Sequence, residues 1–185
     1  LADVKPLMRL LPWETWLEEA PHELSSLAAD VACRTGLREL LPALRRAAHE
    51  HPAPALLRAF GELQDPESTP LLLHLLASRP DLRPVVCDSL GRIGGDEVRE
   101  ALRKAAPGSG ASEARLLYKA LSLCAVADDA PLFRAVIAHH DWYVRLAAAE
   151  VLGRFPAPEN QPALSVLAAD PVPAVAHRAL SSLDG

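Results

Sequence analysis

The chain has 185 residues, a formal net charge of -5, and a composition that is 50% hydrophobic but only 4% aromatic. It is long enough to bury a sizeable core, and its acidic balance excludes a generic nucleic-acid or anionic-membrane binder, since both draw affinity from clustered Lys and Arg. The apolar load falls on Ala and Leu, strong helix formers, so composition alone favours an all-α fold. No run of about 18 apolar residues is present to span a bilayer, and no signal-peptide pattern is visible. Cys33, Cys87 and Cys124 fall at apolar helix positions and are expected to be small buried hydrophobes in a reducing compartment, hence a cytoplasmic location. A first residue that is Leu1 rather than Met is expected of a piece of a larger, multidomain or membrane-attached protein.

In chain order, residues 3–20 read as one or two short helices broken at Pro12. Pro21 to Arg34 reads as a helix closed by Gly36. Leu37 to Glu50 reads as a helix that Pro42 either starts late or kinks. Residues 1–50 are therefore expected to form an irregular helical cap and a first helix, and residues 51–185 one continuous array.

That array shows itself as a repeat. Phe60-Gly61-Glu62-Leu63 aligns with Leu90-Gly91-Arg92-Ile93, Leu121-Ser122-Leu123-Cys124 and Leu152-Gly153-Arg154-Phe155, with spacings of 30, 31 and 31 between the Gly or Ser positions. A fixed period of this size marks stacked supersecondary units. Each unit splits into two helices. First helices start at Thr69-Pro70, Asp96, Ala130-Pro131 and Gln161-Pro162, with proline in the first turn where its missing N–H costs nothing. Their apolar columns are Leu72/Leu102/Phe133/Leu164, Leu75/Ala105/Val136/Leu167 and Leu76/Ala106/Ile137/Ala168. Second helices carry Leu56/Val86/Leu117/Ala148/Ala179 and Phe60/Leu90/Leu121/Leu152/Leu183. Both sets have the i, i+3, i+4 spacing of one helix face.

The string from Tyr143 through Val144-Arg145 to Leu152-Gly153-Arg154 resembles the second helix of a HEAT repeat, especially the short bacterial kind found in phycobilisome lyases. Leu82-Arg83 through Ile93 is similar, and so is Asp170-Pro171 through Leu183, with Ala176 where Arg is usual. The resemblance covers roughly residues 53–185 and breaks at Glu113-Ala114 and Ser122. It implies a right-handed α-solenoid of about five helix pairs whose second helices line a concave inner face.

One column of the second helices reads Arg58, Asp88, Lys119, Glu150. Neighbouring stacked helices lie about 8–10 Å apart, so alternating signs imply either a ladder of exposed ion pairs or a polar binding stripe, and the two are compatible. Arg92 and Arg154 flank that column. Trp13 and Trp16, three apart with Glu14, Glu18 and Glu19 beside them, either pack the cap or present aromatic anchors. Trp142-Tyr143 opens a second helix after a turn, either as a staple or as an exposed contact. His139-His140-Asp141 reads as a solvated turn rather than a metal site. His22-Glu23 and His49-Glu50 resemble the iron-binding pairs of deoxyhypusine hydroxylase, but the corresponding places after Arg83 and Arg145 hold Pro84-Val85 and Leu146-Ala147. Asp128-Asp129 reads as an exposed capping turn. No catalytic triad order, phosphate loop or Cys-x-x-Cys stands in a supporting context.

The resulting expectation is a non-catalytic scaffold that binds a protein on the concave face, with no cofactor, no nucleic acid and no direct membrane insertion. The alternatives are a bilin lyase-type chromophore-handling protein and a HEAT-like DNA glycosylase. The candidate contacts are Arg58, Asp88, Arg92, Lys119, Glu150 and Arg154, with Trp13, Trp16 and Trp142 as aromatic contacts.

Overall fold

A computed structural model describes residues 10–13, 15, 16 and 21–183, with the side chains of residues 21–23 excepted. Glu14, Glu18 and Glu19, and the side chains of His22 and Glu23, lie outside the described residues. Among those described, the fold is 11 α-helices and no strand. The helices are α1 (Pro21–Thr35), α2 (Leu41–Glu50), α3 (Pro54–Glu62), α4 (Thr69–Ser78), α5 (Arg83–Ile93), α6 (Asp96–Ala105), α7 (Ala111–Cys124), α8 (Ala130–Arg134), α9 (Trp142–Arg154), α10 (Gln161–Ala168) and α11 (Pro173–Leu183). From α2 onward they form first-and-second pairs, the architecture of an all-α solenoid. The chain divides into two compact units, Leu1–Ile93 and Gly94–Gly185.

Four first helices, α2, α4, α8 and α10, are entered from a 3-10 turn and carry a proline in their first turn. Pro42 thus starts α2 late rather than kinking it. Three of these turns, Pro66–Ser68, Ala127–Asp129 and Pro158–Asn160, end on a buried polar side chain. Ser68 Oγ donates to Asp65 O at 2.8 Å, Asp129 Oδ2 accepts from Val126 N at 2.9 Å, and Asn160 Nδ2 donates to Phe155 O at 2.8 Å. Each fastens its own turn by satisfying backbone groups that would otherwise be buried unpaired. Asp129 is therefore not the exposed cap its sequence context suggests, because its side chain is wholly buried. The first helix α6 follows Gly94 (φ 68°) and Gly95 (φ 88°) instead. It compensates with Asp96 and Glu97 in its first turn and Arg103 and Lys104 in its last, each end matched to the helix dipole.

In the unit of residues 1–93, α3 packs on α1, α2 and α5, and α4 packs on α5. Leu56, Phe60, Leu72, Val86 and Leu90 are fully buried, as the columns predict. Gly61 lies where α3 meets α5. A Cβ there would stand 2.7 Å from Ser89 Cα, so only glycine permits the approach. Ser89 Oγ donates across it to Leu57 O at 2.7 Å.

Gln64, just past α3, has φ 49°. Asp65 N donates to Phe60 O at 2.9 Å and Gln64 N to Gly61 O at 3.1 Å, closing the helix through a left-handed residue. The corresponding place after α5 is Gly94, so the repeat uses glycine there once and a strained side chain here. Gln64→Gly should stabilise the chain by about 0.5–1 kcal/mol, the strain relieved being partly offset by a more flexible unfolded chain. Urea unfolding midpoints measure the gain, and a lower midpoint for the variant would refute it.

In the unit of residues 94–185, α7 packs on α6 and α9, and α9 packs on α8 and α11, with α10 on α11. Leu102, Leu121, Phe133 and Leu152 are fully buried, whereas Leu183, the last member of its column, is 39% exposed. Gly153 repeats the close crossing, since a Cβ there would overlap Ser182 Oγ and stand 2.6 Å from its Cβ. Two expectations are corrected here. The core takes Ala106, while Ala105 is exposed. The helix of Phe133 ends at Arg134, and the following Val136 and Ile137 sit in hydrogen-bonded turns. β-Branched Val136 and Ile137, and His139 and His140 beyond Ala138, are weak helix formers, which accounts for the early stop.

No disulfide joins the three cysteines, and of them Cys87 is the buried one. Cys33 and Cys124 are half-buried, against expectation. Burial, then the hydrogen bond and charge of Glu62, push Cys33 up to about 12. Burial and the charge of Asp129 push Cys124 up to about 11.

Candidate functional site

The charge column lands differently in the two units. In the first, Arg58 Nη2 bonds Asp30 Oδ1 on α1 at 3.0 Å, and its Nε lies 3.6 Å from Glu62 on its own helix. Asp88 accepts from Arg92 Nε at 2.8 Å, also within one helix. Both sides of the Arg58–Asp30 pair are about half exposed, so its worth is at most about 1 kcal/mol.

In the second unit, the column forms a groove. Lys119 and Glu150 both line a cavity of about 850 Å³ between α7 and α9. The same phase in two parallel repeats places them on one face, as the 31-residue spacing requires. Arg115 lies one turn before Lys119. Its guanidinium carbon sits 3.3 Å from the centre of the Tyr143 ring, and Tyr143 stacks on Trp142 with centroids 3.7 Å apart. Leu116, Leu123 and Leu146 supply apolar lining, and Leu123 is 47% exposed. Arg154 is committed elsewhere, since its Nη1 donates to Ser122 O at 2.8 Å and so ties α9 to α7. Trp142 contributes through the stack rather than as a projecting anchor. Trp13 is buried and meets Trp16 edge-on at 5.6 Å, so Trp16 is the more accessible of that pair.

Sequence reasoning missed Arg115, because the Arg–Tyr pairing joins positions 28 apart on different helices. It also missed the clamp of Arg145. Arg145 Nε and Nη2 bond both carboxylate oxygens of Asp170 at 2.6 and 3.0 Å, while Nη1 donates to His139 O at 2.7 Å and to His140 O at 3.2 Å. The Arg145 bonds hold the Asp170 carboxyl below its usual range. The signal in the sequence was the Val144-Arg145 pair together with Asp170-Pro171 at the next turn. Arg83 makes the equivalent backward bond, Nε to Leu76 O at 3.1 Å.

A second latch links first helices to the following turn. Arg45 Nη1 bonds Asp65 at 3.0 Å, Arg134 Nη1 bonds Asn160 Oδ1 at 2.6 Å, and Arg103 Nε lies 3.4 Å from Asp129. Burial outweighs Arg45 at Asp65 and raises its carboxyl above the usual value.

His139 and His140 lie ring against ring, and His139 Nδ1 accepts from Asp141 N at 3.1 Å. Asp141 itself caps α9 by accepting from Tyr143 N at 2.8 Å. Among the described residues, no group of three or more His, Cys, Asp or Glu side chains is placed to hold a metal ion. Nor is any helix among them long and apolar enough to cross a membrane.

Among curated proteins, none matches the chain. The HEAT-repeat family matches residues 37–122 and 111–184, beginning earlier than the resemblance legible from residue 53. HEAT repeats generally mediate protein interactions. With helix pairs, buried columns and the Arg145 clamp in place across these matched segments, the chain belongs to the HEAT-repeat family.

Proposed function

We propose that this chain is a non-catalytic interaction module and that its partner is a protein seated on the second-helix face of residues 94–185, in the groove between α7 and α9. The observation that carries this reading is the lining of that groove. Half-exposed Leu123 and the partly exposed Leu116 and Leu146 stand beside Arg115, Lys119 and Glu150. Exposed apolar side chains interspersed with charged ones are the composition of a protein-binding patch.

The test compares affinity capture by the wild-type chain with capture by Leu123→Asp, in the groove, and Val166→Asp, on the exposed side of α10. A protein retained by wild type and by V166D should fall at least about tenfold with L123D, a loss typical of burying a charge in an interface core. Equal capture by all three, or loss only with V166D, would assign the contact to another face.

A further inference from the structure

We infer that Arg115, its guanidinium laid on the Tyr143 ring, is a carboxylate-binding arm that takes an Asp or Glu side chain from an acidic segment of the partner protein. This deepens the interaction reading above and rests on it.

Most arginines of residues 94–185 are engaged in the fold. Arg99, Arg103, Arg134, Arg145 and Arg154 each reach an oxygen of the chain itself, at 2.6 to 3.4 Å. Arg115 is exposed, and among the described residues no oxygen accepts from it. Its fixed neighbour is an aromatic face instead. The side chain leaves α7 and rests on α9, with the guanidinium carbon 3.3 Å from the centre of the Tyr143 ring and Trp142 stacked on that ring at 3.7 Å.

So short a distance sets the orientation. An edge-on guanidinium would drive a nitrogen into the ring, so its plane lies along the ring face. The N–H groups lie in that plane and point along the ring rather than into it, and an aromatic ring gives them no oxygen. A carboxylate arriving in the plane meets two of them at once, and the stack has already removed much of the rotamer freedom that such a grip costs.

The repeat register accounts for a guanidinium placed this way. Arg145 takes both oxygens of the Asp170 carboxylate inside the fold. The equivalent place on α7 is the buried Ala114. Arg115 is one position further on, about 100° round the helix, and lines the surface cavity instead. The chemistry that clamps one repeat internally is thereby turned outward in another.

Charge then selects among acidic ligands. Asp141 and Glu150 line the same cavity of about 850 Å³. Two carboxylates near one guanidinium tolerate a singly charged carboxylate better than a phosphate, which brings nearly two charges. Lys119, also in the lining, already has an interaction within the chain, which leaves Arg115 to meet the acid.

The test follows the Arg115 Nε–H resonance of the isotopically labelled full chain during titration with acetyl-Leu-Glu-Leu-amide and with its glutamine counterpart. The Glu peptide should shift that resonance saturably and bind at least about tenfold tighter than the Gln peptide. Arg115→Lys, which keeps the charge but loses stack and fork, should weaken the Glu peptide at least about threefold and leave the Gln peptide unchanged. Tyr143→Phe retains the ring face and should retain the preference, whereas Tyr143→Leu should reduce it. If Tyr143→Leu fails to fold by circular dichroism, Arg115→Lys and Tyr143→Phe still decide.

Arg178→Lys is the control, since Arg178 is exposed on α11 and outside the lining. Equal binding of the two peptides, no shift of Arg115 at about 10 mM peptide, or an equal loss with Arg178→Lys would overturn the inference. Tighter binding of the phosphoserine counterpart than of the Glu peptide would overturn the carboxylate as the ligand. Partner capture lost with L123D but unchanged by Arg115→Lys would keep the groove as the contact and remove the carboxylate arm alone.

Discussion

Arg145→Ala should destabilise the chain by about 3–5 kcal/mol in urea unfolding, the usual cost of removing one partner from a buried ion pair. Both side chains are nearly enclosed, 12% and 5% exposed, and four hydrogen bonds are lost together. The Asp170 carboxylate would stay buried with its Val172 N contact at 2.9 Å as its one remaining bond among those described. Arg145→Lys should recover part of the loss, because an ammonium restores charge but not the two-point grip. An alanine variant within 1 kcal/mol of wild type would mean that water replaces the clamp without penalty.

The clamp also sets a pH signature. The folded-state value of Asp170 lies below its ordinary 3.8, with the Arg145 hydrogen bond as the largest cause. A depressed carboxyl contributes stability that is complete above the unfolded value and lost as pH falls through the folded one. The advantage of wild type over Asp170→Asn should hold down to about pH 4 and disappear below it. Asp65 has the opposite sign, because burial raises it despite Arg45. Acidification through that raised value should favour wild type over Asp65→Asn before the clamp begins to fail.

Gly61→Leu should cost about 3 kcal/mol, at the upper end of overpacking penalties, even though leucine is the better helix former by nearly 1 kcal/mol. The obstacle is backbone: the first added carbon already stands 2.7 Å from Ser89 Cα, so α3 and α5 must separate. Gly153→Leu should cost less, because its obstacle is the side chain of Ser182 on the last helix of the described chain. Equal melting temperatures for wild type and Gly61→Leu would remove the close crossing as a determinant of the fold.

These two sites divide what was legible in the sequence from what was not. The glycine crossings recur at a fixed phase, and a repeat makes every copy testify to the same contact, so Gly61 and Gly153 could be read from spacing alone. Arg145–Asp170 and Arg115–Tyr143 are single occurrences. Their partners are set by where a turn delivers a side chain: of the register equivalents of Arg145, Ala114 and Ala176 lack the guanidinium, and Arg83 repeats only the bond back to the preceding backbone. The groove was half legible: the phase of Lys119 and Glu150 placed them on one face, but the stacked guanidinium that gives that face its chemistry depends on three rings and planes meeting in space. The exposed-turn reading of Asp128-Asp129 failed for a related reason. Polarity in a turn suggests solvent, yet a tight 3-10 turn hides backbone groups that only a buried side chain can serve.

The protonation of the cysteines has a consequence for how the chain behaves as a chemical reagent. Thiols pushed up to about 12 and about 11 stay protonated near neutral pH, where an ordinary thiol is partly thiolate. The thiolate is the nucleophile, so Cys33 and Cys124 react slowly with alkylating agents while the helices around them are folded. Opening the helices around them restores an ordinary thiol and raises reactivity by orders of magnitude. Cys33 on α1 and Cys124 on α7 belong to different compact units. The chain thus carries two built-in clocks, each of which runs only while its own half is open.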